Sequence, residues 1–342
     1  MIFLGILLLV VGFILLIKGA DWFVDGAAGV AAKLRIPQLV IGLTIVAFGT
    51  SAPELATSLS SAAQEKVGFA IGNVLGSNIC NILLILGLSA MMSALPVQRD
   101  SLRIDFPMLL LASVLIVFFG YTDNEIARWE GGIMALLLVA YTTFLVWNAL
   151  RKRKKEGTMS ALNEHEVLSE GDDCKKSKFA VWYDTMKEKF WFLLIVTVVG
   201  LGVVVGGSMI AVEGAKMIGK ELKIPDNVMG LTVVAIGTSL PELITSVVAA
   251  KKGETDIAIG NIIGSNLFNI LLVAGLSAVI FPLPYISLSG DFTIDGYIAL
   301  GVAALLALFA YLPGHKLRKW QGWVLFLGAI GYYVYCVLSV VL

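Results

Sequence analysis

The chain of 342 residues is 58% hydrophobic and only 15% charged, and its mean hydropathy is +0.88. Soluble domains carry about 25% charged residues, so this composition excludes an ordinary soluble protein and indicates a polytopic membrane protein embedded in a lipid bilayer. The formal net charge is zero and gives no reason to expect a nucleic-acid partner, and the three scattered cysteines predict neither a disulfide framework nor a metal cluster.

Apolar blocks long enough to cross a bilayer predict an all-α membrane protein with ten transmembrane helices. The first block has no basic segment before it, so we interpret it as a helix and not as a cleaved signal peptide. The predicted helices lie at about 2–17, 38–63, 68–95, 104–121, 130–150, 191–212, 228–250, 256–281, 293–312 and 321–341.

One polar stretch, 151–190, separates the fifth and sixth predicted helices. It begins with five consecutive basic residues and is too short and polar for a folded domain, so we predict a linker. Its acidic pair Asp172-Asp173 is more typical of a solvated charge cluster than of a regulatory calcium site. The predicted organisation is a first five-helix unit at 1–150, this linker, and a second five-helix unit at 191–342.

Basic residues predict the orientation in the membrane, because cytoplasmic loops are enriched in them. Placing the loop 151–190 in the cytoplasm and alternating sides from there assigns 20 of the 25 Lys and Arg residues to cytoplasmic segments, including Lys18 after the first predicted helix. Both termini are then extracellular, in a multi-pass protein of the cell membrane.

The sequence matches itself when it is shifted by 188 residues. Residues 35–90 and 223–278 share 32 identities over 56 positions without a gap. Each half has an odd number of predicted helices, so the second half enters the membrane from the opposite side, which makes an inverted repeat. In secondary transporters such repeats place the substrate site at their interface, near the middle of the membrane.

The segment Gly-Thr-Ser-x-Pro-Glu occurs in both repeats, at 49–54 and 237–242. A charged residue at the membrane centre costs roughly 2.5–3.5 kcal/mol, and a proline there interrupts the helix. Irregular backbone survives in lipid only where it is buried or lines a cavity. We therefore predict two broken helices surrounding an ion site.

The repeated polar side chains offer only hydroxyl, amide and carboxylate oxygens, which suit Ca²⁺ and Na⁺ and argue against zinc, copper or iron. Two glutamates neutralise one divalent or two monovalent cations, so competition for a single site gives antiport. We interpret the Ser58 and Ser246 hydroxyls and the repeated glycines as helix-packing positions. The candidate ligands are the side chains of Thr50, Ser51, Glu54, Ser77, Asn81, Thr238, Ser239, Glu242, Ser265 and Asn269, with the carbonyl oxygens of Ala47 and Ala235.

Both repeats resemble the paired alpha-repeats of the cation/calcium exchanger superfamily, with Gly-Asn-x-x-Gly-Ser-Asn-x-x-Asn following the first motif at 42–81 and 230–269. The nearest resemblance is to prokaryotic and archaeal sodium/calcium exchangers. It implies that the ten candidate side chains bind Ca²⁺ and Na⁺ in adjacent sites, without a cofactor. It also implies that the first and sixth helices slide across the other helices to alternate access.

Two positions separate this function from its neighbours in the superfamily. Proton/calcium exchangers carry an additional acid in the Gly-Asn segment, and residues 72–76 have none. Potassium-dependent exchangers carry aspartate where Asn269 stands, and some archaeal relatives carry an acid there, so the chain departs from both. We therefore predict an electrogenic, K⁺-independent Na⁺/Ca²⁺ antiporter acting as a monomer. Proton/calcium exchange, potassium-dependent exchange and a cation channel are the alternatives.

An enzyme is not predicted. Intramembrane catalysis needs a nucleophile with a base, or a bound metal, and no His or Cys accompanies the two repeated glutamates.

Overall fold

A computed structural model of the protein describes residues 2–64, 67–122, 124–160, 189–222, 235–287 and 290–341. The helices in these ranges are α1 (Ile2–Leu34), α2 (Gln38–Thr50), α3 (Ala52–Ala63), α4 (Val67–Met92), α5 (Arg99–Thr122), α6 (Arg128–Ser160), α7 (Phe190–Glu221), α8 (Ala235–Thr238), α9 (Leu240–Lys252), α10 (Thr255–Ile280), α11 (Thr293–Tyr311) and α12 (Lys319–Val341). The strands are β1 (Leu95–Pro96), β2 (Glu125–Ile126), β3 (Leu283–Pro284), β4 (Ile286–Ser287), β5 (Gly290–Asp291) and β6 (Lys316–Leu317).

The prediction of an all-α membrane protein is confirmed. Among the described residues, seven helices are long and apolar enough to cross a membrane, and α2 with α3 adds an eighth span bent by 45°. The helical stretches α8–α9 and α12 lie at the predicted seventh and tenth positions. Residues 223–234, which include the start of the second repeat motif, lie outside the described residues.

The bounds of two predicted helices, 2–17 and 191–212, are wrong because both helices are longer. α1 continues through Lys18 to Leu34, so Lys18 lies on a helix surface and not in a loop. One charge does not end a helix whose apolar residues resume after it. A helix of 33 residues is about 50 Å long, well beyond the bilayer core of about 30 Å, so α1 tilts or projects from it.

The predicted linker differs from the structure at its start. α6 continues to Ser160, so residues 151–160 are helical. The acidic pair of the linker lies outside the described residues. Lys152 extends from this part of α6 and forms an ion pair with Asp100 near the start of α5.

Glycines allow α1 and α7 to pack closely along their length. A Cβ atom added at Gly12 would lie 2.7 Å from the carbonyl oxygen of Gly207, and one at Gly19 would lie 3.0 Å from that of Gly200. This register makes the two helices antiparallel. Small residues are the usual means of close helix contact in lipid, where van der Waals packing replaces the hydrophobic drive.

The short strands show the two-fold relation between the halves. β1 pairs with β6, and β2 pairs with β3, both antiparallel. Each pair joins the first half of the chain to the second, and exchanging the halves converts one pair into the other. A mirrored pair of hydrogen bonds follows the same relation: Tyr141 donates to Asp105 at 2.7 Å, and Tyr332 donates to Asp295 at 2.9 Å.

The central helices are those that carry the repeated polar motifs. Of the apolar stretch that could span the membrane, 78% is buried in α4 and 83% in α10, against 22% in α1. The broken helices α2–α3 and α8–α9 contact this central pair. The fold therefore places the Gly-Thr-Ser breaks and the asparagine-rich helices together in its interior.

Candidate ion-binding site

The two repeat motifs break their helices in the same way. Ser51 stands between α2 and α3 with φ −84° and ψ 4°, and Ser239 stands between α8 and α9 with φ −87° and ψ 2°. A proline follows in the first turn of α3 and of α9, where its missing N–H costs no helical hydrogen bond. Glu54 and Glu242 also lie in these first turns, and the positive end of the helix dipole favours a carboxylate there.

The asparagine-rich helices carry matching irregularities. α4 widens to a π-helical segment at Asn81–Leu86, and α10 does so at Phe268–Ala274. Such π-bulges within α-helices are often found at functional sites. They place Asn81 and Asn269, which are 188 residues apart, at equivalent points next to the broken helices.

The two glutamates lie at the interface between the repeats. Glu54 is 1% exposed and Glu242 is fully buried. Ser51 donates to Oε1 of Glu242 at 3.0 Å, and Ser239 donates to Oε1 of Glu54 at 3.4 Å, so each serine reaches across to the other repeat. The carboxyl groups are close enough for their charges to repel. Oε2 of each glutamate has no hydrogen-bond partner in the described part of the chain.

Other predicted ligands surround this pair with further buried oxygens. Ser239 also lies 3.5 Å from Oγ of Ser77, and the Glu242 carboxyl faces Thr50 and Ser265. Within the described ranges, the buried side-chain oxygens of predicted ligands without a hydrogen-bond partner are Oε2 of Glu54, Oε2 of Glu242, Oδ1 of Asn81, Oγ of Ser265 and Oδ1 of Asn269.

These unpartnered oxygens fit a dehydrated cation. A buried polar atom without a partner costs about 1–3 kcal/mol, and more when it is charged, so the protein alone does not stabilise this arrangement. Ca²⁺ takes six to eight oxygen ligands in flexible geometry, which a mixed set of carboxylates, hydroxyls and amides provides. The two carboxylates supply the negative charge that the cation must neutralise.

The remaining predicted ligands are less directly placed. The Ala47 carbonyl oxygen accepts the Ser51 N–H at 3.0 Å, and the Thr50 hydroxyl oxygen lies 3.4 Å from it. Thr50 has a single hydroxyl proton and lies closer to Oδ1 of Asn261, at 3.0 Å, so the Ala47 carbonyl oxygen keeps a lone pair for a cation. Ala235 is the first described residue of α8. Thr238 contacts the Glu54 carboxyl group. The ligand roles of all twelve predicted residues stay predictions.

Sequence reasoning missed a second layer of polar residues behind the ligands. Asn73 donates to Ser58 at 3.0 Å, and Asn261 donates to Ser246 at 2.9 Å, so these serines do more than pack helices. Their identity across the 188-residue shift was a signal that could have found them. Ser208 of α7 donates to the Gly237 carbonyl oxygen at 2.7 Å without such a signal, because alanine stands at the equivalent position of the first repeat.

Comparison with known proteins agrees with this geometry. The family model described as "Sodium/calcium exchanger protein" matches residues 4–147 and 192–341. The sodium/calcium exchanger MaX1 of Methanosarcina acetivorans is 35% identical, over 98% of this chain and 99% of its own. The putative antiporter CaxA of Alkalimonas amylolytica is 36% identical, over 94% of this chain and 95% of its own.

A solved structure matches the whole fold. The sodium-calcium exchanger NCX_Mj, soaked with 10 mM Na⁺ and no Ca²⁺, superposes with a TM-score of 0.79 at 31% identity, covering 99% of each chain. The family match covers both halves of the chain and leaves out the stretch between them. The chain therefore belongs to the sodium/calcium exchanger protein family.

Proposed function

We propose that this chain is a secondary active antiporter that exchanges Na⁺ for Ca²⁺ by alternating access. The observation that carries the proposal is the pair of buried carboxylates, Glu54 and Glu242, at the repeat interface, each with one oxygen that has no hydrogen-bond partner within the described ranges. Their two charges balance one Ca²⁺ or two Na⁺. A site that cannot hold both loads at once couples the fluxes of the two ions by competition.

The exchange is electrogenic and independent of K⁺. It is electrogenic because more than two Na⁺ are exchanged for each Ca²⁺, which moves net charge. It is independent of K⁺ because neutral Asn269 stands where potassium-dependent exchangers carry aspartate. The proposed ligands are the ten side chains and two carbonyl groups named from the sequence. All of them belong to one chain, which supports a monomer as the functional unit and no resident cofactor.

Ca²⁺ uptake into proteoliposomes is expected to require internal Na⁺. Vesicles loaded with Na⁺ should accumulate ⁴⁵Ca²⁺, and an imposed inside-positive potential should accelerate uptake, since Na⁺ carries the larger charge outward. Replacing choline by K⁺ on both sides, with the potential clamped, should leave the rate unchanged. The measurement is the initial rate of uptake under each gradient.

Each alternative gives a different result in that assay. Uptake driven by a pH gradient without Na⁺ would indicate proton/calcium exchange, and a requirement for K⁺ would indicate the potassium-dependent type. Flux that neither saturates nor needs a counter-ion would indicate a channel. Any of these outcomes would contradict the proposed coupling.

We also propose a place in the cell membrane with the loop 151–190 in the cytoplasm and both termini outside. The pairing of β1 with β6 and of β2 with β3 supports the alternation of sides, because each pair joins segments that the alternation assigns to the same face.

The loop carries its own reporter for this orientation, Cys174. In a variant whose other cysteines, Cys80 and Cys336, are replaced by alanine, a membrane-impermeant maleimide should label Cys174 in inverted vesicles and not in intact cells. Labelling of intact cells would reverse the proposed orientation. Labelling after detergent treatment shows the full reactive amount and is the control.

A further inference from the structure

Hydrogen bonds around the ion site are asymmetric although the residues that form them are symmetric. Asn261 of the second repeat accepts the Thr50 hydroxyl on Oδ1 at 3.0 Å. Its equivalent in the first repeat, Asn73, has no hydrogen-bond partner for Oδ1 among the described residues, although the residue is only 7% exposed. Thr238, the equivalent of Thr50, contacts the Glu54 carboxyl group just as Thr50 contacts that of Glu242, so the difference lies in the asparagine contact alone.

A second mirrored set of asparagines shows the same asymmetry. Asn81 of the first repeat donates to Oδ1 of Asn266 at 3.4 Å. The mirrored contact would join Asn269 to Asn78. In the described residues, however, Nδ2 and Oδ1 of Asn269 and Oδ1 of Asn78 all lack a hydrogen-bond partner. In both sets a ligand of the first repeat is held by an asparagine of the second, and the reverse contact is missing.

Asn73 and Asn261 are nevertheless both anchored on the equivalent serine of their own repeat, and Nδ2 of Asn261 also lies 3.5 Å from the Glu242 carbonyl oxygen. Nδ2 of Asn73 donates to Ser58, and Nδ2 of Asn261 donates to Ser246, at 3.0 and 2.9 Å. Each serine lies one turn after the glutamate of its own repeat. In both asparagines a serine holds Nδ2 and leaves Oδ1 able to accept a hydrogen bond. The residues needed for the missing contact, Asn73 and Thr238, are therefore both in the sequence.

We propose that these asparagines are positioning residues that hold the ligands of one repeat at a time. In the orientation of this structure, Asn261 and Asn266 hold Thr50 and Asn81. In the opposite orientation, Oδ1 of Asn73 accepts a hydrogen bond from the Thr238 hydroxyl, Oδ1 of Asn78 accepts one from Asn269, and the contacts of the first set break. The inference rests on alternating access, which is part of the proposed function.

The physical reason is the relation between repeats and orientations. In an inverted repeat, exchanging the conformations of the halves converts a site open to one face into a site open to the other. A contact present in only one half therefore marks a contact that changes during the cycle. The asparagine also orients the threonine, since a hydroxyl that donates a hydrogen bond to an amide oxygen has its lone pairs free to face a cation.

Single substitutions should shift the orientation in opposite directions. Asn261→Ala removes a contact of the present orientation and therefore favours the opposite orientation. Asn73→Ala removes a contact of the opposite orientation and therefore favours the present one. Each change is expected to alter the ratio of the two orientations by about threefold to tenfold, the effect of one neutral hydrogen bond. The double variant loses one contact in each orientation, so its ratio should return close to that of the unmodified protein.

The readout is deuterium uptake in lipid nanodiscs, measured by mass spectrometry. The equivalent segments 55–63 and 243–251 lie at the ends of α3 and α9, which reach opposite faces of the membrane, so the ratio of their deuterium uptake reports which face is open. Asn266→Ala should follow Asn261→Ala, and Asn78→Ala should follow Asn73→Ala, which provides an independent set if one variant fails to fold.

Opposite shifts in the single variants with restoration in the double variant would support the proposal. Shifts in the same direction, no shift, or a double variant that deviates further would overturn it, because a purely structural role weakens both orientations alike. ⁴⁵Ca²⁺ uptake by the unmodified protein separates the two questions. Absence of Na⁺-driven uptake would remove the proposed function, whereas a wrong pattern of deuterium uptake would remove only the alternating contacts.

Discussion

Replacing Glu54 by glutamine is expected to lower Na⁺-driven Ca²⁺ uptake by about 100-fold or more while the protein stays folded. Glutamine keeps the shape and one oxygen, but it removes half of the negative charge at the repeat interface. A charge at mid-membrane is worth roughly 2.5–3.5 kcal/mol, and 1.4 kcal/mol corresponds to a factor of ten. With only Glu242 charged, a bound Ca²⁺ would leave an uncompensated positive charge in a fully buried site.

Thermal unfolding with and without Ca²⁺ separates a ligand role from a structural role. Ca²⁺ should raise the midpoint of the unmodified protein, because a ligand that binds only the folded state stabilises it by about 2.7 kcal/mol at 100 times its Kd. The Glu54→Gln variant should lose this response. Without Ca²⁺ it should be at least as stable, since the repulsion between the Glu54 and Glu242 carboxylates is removed.

A matched control is available at another buried glutamate. Oε2 of Glu130 accepts the Ala127 N–H at 2.8 Å at the start of α6, and Gln321 accepts the Arg318 N–H at 2.6 Å at the start of α12. The second repeat therefore already performs this task with glutamine. Glu130→Gln should retain uptake and its response to Ca²⁺. Equal losses in Glu130→Gln and Glu54→Gln, or uptake retained by Glu54→Gln, would contradict the ion-site assignment.

The sequence was sufficient to predict the features that occur in both repeats. Repetition at 188 residues identified Ser51, Glu54 and their equivalents, and the cost of charge and proline in lipid explained why they belong inside. The structure joins these serines and glutamates across the repeats. The odd number of helices in each half predicted the inverted arrangement that the paired strands display.

Features that depend on three-dimensional contact could not be read in this way. The length of α1 is set by its packing on α7, which keeps the segment after Lys18 helical, and local hydropathy does not record that packing. The choice between the equivalent contacts of Asn261 and Asn73 depends on which orientation the protein occupies, and a symmetric sequence does not specify it. Ser208 acts from outside the repeated motif.

Replacing Gly207 by valine is expected to disrupt the α1–α7 pair and lower both stability and transport. A Cβ atom at Gly207 would lie 2.8 Å from the Leu16 nitrogen and 3.0 Å from the Gly12 carbonyl oxygen. Both neighbours are backbone atoms of a continuous helix, so a rotamer change cannot relieve the contact and the helices must separate. Overpacking of this kind costs typically 1–3 kcal/mol, and the midpoint of thermal unfolding should fall by several degrees.

Gly202 of the same helix provides the control, because an added Cβ there meets no atom of the described residues within 4 Å. Gly202→Val should therefore leave the midpoint and the uptake rate nearly unchanged in the same detergent and lipid. The comparison isolates close approach from helix propensity, since both variants place the same residue in α7. Equal changes in midpoint and uptake rate in the two variants would mean that close packing through Gly207 does not hold α7 against α1. The two helices would then not be expected to move as one unit when the site changes its access.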